Sequence, residues 1–106
     1  MGKYLIEASY TVEGAKGVVK AGGSARRAAA KELIESVGGT MEAFYFAFGK
    51  NDVYIIADVP DHASAIALSM TVNMSGMVTL RTTPLITSEE VDAAAKKTVK
   101  YRAPGA

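Results

Sequence analysis

The sequence contains no cysteine and a single histidine, His62. Without thiols there is no disulfide framework, no thiolate metal site and no cysteine nucleophile. One imidazole cannot build a multi-histidine metal centre, so no metal site is expected. No apolar run approaches the roughly 20 residues of a membrane-spanning helix. The opening Met1-Gly2-Lys3-Tyr4 lacks the basic stretch and apolar core of a signal peptide. A soluble, cytoplasmic protein with no membrane partner is therefore expected. Excess charge of one sign is also missing: 12 basic against 11 acidic residues leave a formal charge of +1. That balance gives no electrostatic affinity for nucleic acid or an anionic surface.

What is present is a core-forming composition. Of 106 residues, 49% are hydrophobic and 22% charged, which excludes disorder and collagen-like structure. The length suits one domain with its own core. No internal repeat or linker divides it, so residues 1–106 are expected to form a single domain. Its core spans about 3–88, and a C-terminal helix and tail occupy 88–106.

Lys3 to Thr11 alternates, with Tyr4, Ile6, Ala8 and Tyr10 facing one way and Leu5, Glu7 and Ser9 the other, as a strand does. A segment loosened by Gly14 and Gly17 holds a turn or two of helix and ends at Gly22-Gly23. Ser24 is the expected N-cap of a longer helix whose stripe is Arg26, Ala30, Leu33 and Val37, widened by Ala29 and Ile34. Gly38-Gly39 stops it. Met41–Phe48 and Val53–Val59 read as strands, with Gly49-Lys50-Asn51-Asp52 as the hairpin turn between them. Pro60-Asp61 opens a second helix, Asp61 capping it, with Ala63, Ile66, Ala67, Met70 and Met74 at helical spacing. Met77–Thr83 is a fourth strand closed by Pro84. Thr87-Ser88-Glu89-Glu90 matches a capping box and starts a final helix to about Val99.

The order strand, helix, strand, strand, helix, strand gives an α+β, ferredoxin-like βαββαβ fold: a four-stranded antiparallel sheet with both long helices on one face and an extra C-terminal helix. The other face should then be polar if it meets water. It is not. In the second strand both Phe44/Phe46/Phe48 and Ala43/Tyr45/Ala47 are apolar or aromatic, and the third still places Tyr54 and Ile56 on its less apolar side. Large uncovered apolar patches mark association surfaces. The sequence therefore predicts a homo-oligomer, a sheet-to-sheet dimer first and an edgewise trimer as the other arrangement.

The chain resembles the GYD-domain family, named for a Gly-x-Tyr-Asp motif. The likeness covers roughly residues 4–88. It rests on Glu13-Gly14 and Gly17, Arg26-Arg27, Gly38-Gly39, Phe44-Tyr45, the motif residues Gly49 and Asp52, Pro60-Asp61, and Thr79-Leu80-Arg81. Asn51 stands where the motif has Tyr, so a hydroxyl or ring contributed by that Tyr would be missing. The resemblance implies a ferredoxin-like fold related to dimeric α/β-barrel proteins. Those relatives include cofactor-free monooxygenases, heme enzymes, cyclases and stress-response proteins. It implies no agreed activity and assigns no cofactor.

If strand alternation holds, Glu7, Ser9, Tyr54, Asp58, Thr79 and Arg81 share the partner-facing side, with Glu7 between Asp58 or Tyr54 and Arg81. A carboxylate, a phenol and a guanidinium in an apolar cavity can hold a small anionic or phenolic ligand, and a desolvated Glu7 can act as a base. Glu7, Tyr54, Asp58 and Arg81 are thus the candidate ligand-binding residues; the competing reading is a Glu7–Arg81 cross-strand pair that fixes register. Gly49 and Asp52 fit turn geometry as well as any site. His62 is expected on the surface with no orienting partner. The glycines at 14, 17, 22 and 23 match no phosphate-loop pattern. Arg26, Arg27 and Lys31 form a solvated helix face. Met70, Met74 and Met77 fill core or interface gaps. An RNA-binding sheet of this topology would carry a basic third-strand signature, which Asp52–Val59 lacks. Two functions follow: a homo-oligomer that binds or transforms a small organic molecule in a sheet-lined cavity, or a non-catalytic assembly or regulatory module. Whether the protein is an enzyme stays open.

Overall fold

Alternation in the first strand carries straight through into burial. In the computed structural model, which describes residues 2–105, β1 runs Gly2–Tyr10 with Tyr4, Ile6 and Ala8 buried and the residues between them half-buried or exposed. β3 (Val53–Val59) repeats the pattern with Val53, Ile55, Ala57 and Val59. The two strands lie side by side at the centre of one sheet, flanked by β2 (Thr40–Phe46) and β4 (Val78–Leu85), in the order β2-β3-β1-β4 with every neighbour antiparallel. Helices α1 (Val12–Ala21) and α2 (Gly23–Ser36) connect β1 to β2, and α3 (His62–Met74) connects β3 to β4. The fold is ferredoxin-like, with α4 (Ser88–Ala95) appended. Ile34 of α2 and Ala65 and Leu68 of α3 close the core over the buried sheet face, with Leu33, Phe44 and Leu80 packed around them.

Several local expectations shift. The first crossover holds two full helices, not a short turn and one helix. Thr11 caps α1 by accepting from the Gly14 amide. Ser24 is not the cap of α2 and sits inside its first turn. Gly22, at φ +89°, both ends α1 through its amide to Val18 and begins α2 through its carbonyl to Arg26. Only glycine takes that backbone angle without strain, so one residue turns the chain between two helices. β2 ends at Phe46, and Glu42 is bulged out of register between Met41 and Ala43. Pro84 lies within β4 opposite Tyr4; β4 is an edge strand, where a missing amide donor removes no ladder bond.

The most consequential shift is the rotation of α3. Its buried side is Ala65 and Leu68, whereas Ile66, Met70 and Met74 are 57%, 57% and 76% exposed. The helix is apolar on most of its circumference, so periodicity alone cannot choose a face. Polar links choose it. Asn73 brackets the backbone of Leu80, donating to its carbonyl at 3.2 Å and accepting from its amide at 2.7 Å. The Ser69 and Thr82 hydroxyls meet at 2.7 Å. Asp61 caps the helix as expected, accepting from the Ser64 amide at 2.7 Å.

The capping box at Thr87 and Glu90 forms, but α4 stops at Ala95. It packs against no other element to any extent, and residues 86–105 are exposed. The radius of gyration is 17.1 Å, against about 13 Å for a compact domain of this length. The difference is an arm projecting from the sheet's edge.

Candidate functional site

Among the described residues no element covers the sheet face opposite α2 and α3. Alternation places Leu5, Glu7 and Ser9 of β1, Ala43 and Tyr45 of β2, Tyr54, Ile56 and Asp58 of β3, and Thr79 and Arg81 of β4 on this side. Tyr45 is 71% exposed, while Leu5, Ala43 and Ile56 are half-buried. The face is therefore an apolar strip with a polar centre.

That centre is assembled by register. Glu7 sits directly across from Tyr54 on one ladder and from Arg81 on the other. Three of the four candidates are thus brought together, in the arrangement that strand order implies. Glu7 and Tyr54 are linked through Asn51, from the hairpin. Its amide donates to Glu7 Oε2 at 2.9 Å and to the Tyr54 hydroxyl at 3.3 Å, while its carbonyl accepts from Ser9 at 3.3 Å. No sequence signal marked Asn51 as a contact, because it lies 44 residues from Glu7.

The Glu7–Arg81 ion pair does not form. Glu7 is hydrogen-bonded to Asn51, and among the described residues Arg81 has no carboxylate partner. Register fixation by that pair is therefore not what places the two residues. Asp58 lies apart from the cluster, four residues along β3, where it faces Lys3. Lys3 reaches Asp58 at 3.5 Å and makes a closer hydrogen-bonded pair with Glu42. The Glu42 hydrogen bond, more than the Asp58 charge, raises the Lys3 pKa above the usual 10.5, against a smaller lowering by desolvation. These groups are exposed, so the triad contributes little to stability.

Asp52 is a joint between strands. Its side chain accepts from the Tyr10 amide at 2.8 Å, its own amide donates to Ala8 at 2.8 Å, and its carbonyl accepts from Ala47 at 2.8 Å. The carboxylate thus extends the β1–β3 ladder by one step, where a backbone carbonyl would otherwise be needed. Gly49 lies in the exposed turn.

A second pairing was not legible in the sequence. His62 is exposed, as expected, but it has an orienting partner: its Nδ1 lies 2.5 Å from the hydroxyl of Tyr4, whose side chain is otherwise buried. The rings meet edge to face at 6.0 Å. Among the described residues no group of three or more acidic or histidine side chains is placed to hold a metal. Among the described residues no helix is long and apolar enough to cross a membrane.

Residues 4–95 match the family model described as the GYD domain. No curated protein and no solved structure matches the chain.

Proposed function

The chain belongs to the GYD-domain family, and from that premise we propose that it self-associates through the uncovered sheet face and holds a small organic molecule at the polar centre of that face. The observation that carries this reading is the Glu7–Asn51–Tyr54 network, set among Leu5, Tyr45 and Ile56 and beside an Arg81 with no carboxylate partner. A second copy laid on this face removes the apolar strip from water, worth about 25 cal/mol per Å² of apolar surface buried. It also desolvates the network, whose remaining donors and acceptors then need a partner. A guanidinium matches a carboxylate or phenolate oxygen by paired hydrogen bonds. The Glu7 carboxylate and the Tyr54 hydroxyl suit a hydroxyl on the same ligand. The ligand class is thus a small hydroxylated or phenolic acid.

A second reading is favoured by where two of the cavities lie. Cavities of about 710 and 420 Å³ are both lined by Tyr4 and His62, and neither is lined by Glu7, Asn51, Tyr54 or Arg81. On that reading the open face serves assembly alone and the protein is a non-catalytic module.

Sedimentation velocity combined with native mass spectrometry separates the readings. The expected result is a dimer or trimer that carries a small-molecule adduct. Glu7→Gln and Arg81→Ala should keep the assembly, and Arg81→Ala should weaken retention of the adduct by about ten-fold or more, the effect of losing a charged hydrogen bond. An assembly whose variants keep every adduct leaves the face to association only. A compact single subunit at micromolar concentration overturns both.

A further inference from the structure

The Tyr4–His62 pair sits where two cavities meet. Tyr4, His62 and Pro84 line both, so together they form one cleft between the start of α3, the edge strand β4 and the approach to α4. The smaller part, about 420 Å³, has apolar walls from Ala65, Ile66 and Met70. The larger, about 710 Å³, opens past Lys3, Asp58 and Glu90. Both volumes fall within the roughly 300–1,000 Å³ of small-molecule sites.

The hydrogen bond inside the cleft sets what it can recognise. Tyr4 is 3% exposed, and among the described residues its hydroxyl has one hydrogen-bond partner, His62 Nδ1. If Nδ1 carried the proton it would be the donor of this bond, and among the described residues the hydroxyl hydrogen would have no acceptor, a lost bond at a part-buried group. The hydroxyl is therefore assigned as the donor to Nδ1, which places the ring proton on Nε2. Tyr4 fixes the tautomer, and Nε2–H is the donor left for a ligand. The other polar groups of the smaller cavity are already engaged: Ser69 with Thr82, and Asn73 with the Leu80 backbone. At the mouth, Asp58 and Glu90 outnumber Lys3, which is itself paired to Glu42 and Asp58. An anion meets net negative charge there, but a neutral acceptor does not.

We infer that this cleft is a binding site for a neutral carbonyl compound with a compact apolar body, such as an aryl or alkyl ketone. The carbonyl oxygen accepts from His62 Nε2–H, and the body lies against Ile66 and Met70. This also accounts for two large side chains left exposed on α3, each 57% accessible. The site shares no lining residue with the Glu7–Asn51–Tyr54 network, although its mouth reaches round the end of the sheet to Lys3 and Asp58.

Because His62 is the sole histidine, its Cε1 proton gives the one signal of its kind, and the test is proton NMR of the full chain titrated with acetophenone. The expected result is a saturable shift of that signal with a dissociation constant of order 1 mM, reasonable for nine heavy atoms. Benzoate, the same size but anionic, and toluene, which lacks the acceptor, should each bind at least about five-fold more weakly, the value of one net hydrogen bond. Tyr4→Phe keeps the ring and loses the tautomer control, so acetophenone should weaken by a similar factor. Met70→Glu, at an exposed position that leaves the core intact, should abolish the shift. No saturable shift with acetophenone, equal binding of benzoate, or unchanged affinity in both variants would overturn the assignment.

Discussion

Replacing Gly14 with alanine drives a methyl group into the backbone of the chain entering β4. A Cβ built on Gly14 falls 1.9 Å from the Met77 carbonyl oxygen and 2.9 Å from its carbon, where real Cβ atoms keep at least 3.0 Å. Helix α1 would have to retreat by more than an ångström. That same carbonyl accepts from the Thr11 amide at 3.0 Å and the Thr11 hydroxyl at 3.2 Å, and Thr11 is the cap of α1. Overpacking costs about 1–3 kcal/mol, and disturbing the anchoring hydrogen bond or the cap adds about 1 kcal/mol. Against this, alanine gains about 1 kcal/mol over glycine in a helix. The net loss is about 2 kcal/mol, a fall in Tm of about 10 °C for a domain of this size. Gly17, in the same helix, supplies the control, since nothing lies within 4 Å of its added Cβ. Gly17→Ala should therefore gain up to about 1 kcal/mol from propensity alone. Thermal and urea unfolding followed by circular dichroism reads both variants. A Gly14→Ala midpoint at or above the parent's, or equal losses in the two variants, would refute the close-contact reasoning.

Asp52→Ala removes the acceptor for the half-buried Tyr10 amide and should cost about 1–3 kcal/mol, whereas Asp52→Asn keeps an acceptor and should cost less; urea midpoints and amide exchange at Tyr10 check this. The Asp61 carboxyl is held below its ordinary 3.8, first by the hydrogen bond from the Ser64 amide and then by the Ser64 hydroxyl. A lowered carboxylate pKa means the cap's ionised form stabilises the fold above the ordinary value, and that contribution disappears as the pH falls through the folded-state value. The Tm gap between the parent and Asp61→Ala should thus be constant from about pH 7 to pH 5 and close below 3.8. A gap that widens on acidification would contradict the capping geometry.

The strands and the caps of α3 and α4 were legible because each depends on residues only a few positions apart, whereas the cap expected at Ser24 was not one. Alternation at Tyr4, Ile6 and Ala8, and again at Val53, Ile55, Ala57 and Val59, marks the two central strands and their buried side. Asp61 and the Thr87–Glu90 pair mark helix starts through side chains that reach three residues along. Even the meeting of Glu7, Tyr54 and Arg81 could be read once strand order was inferred, because alternation puts them on one face. Family membership, too, followed from short motifs along the chain.

What local spacing could not settle was anything set by register, rotation or approach between distant segments. Register chose Tyr54 over Asp58 as the neighbour of Glu7 and sent Asp58 to Lys3. Rotation of α3 was decided by Asn73 and Ser69 bonding to β4, against an apolar pattern that suited several faces. Asn51 reached Glu7, and His62 reached Tyr4, only because the sheet brings together residues 44 and 58 positions apart. Periodicity carries the free energy of burying one side of an element. The choice of partner depends on contacts that exist only after the elements have packed, and one chain's residue order does not spell those out.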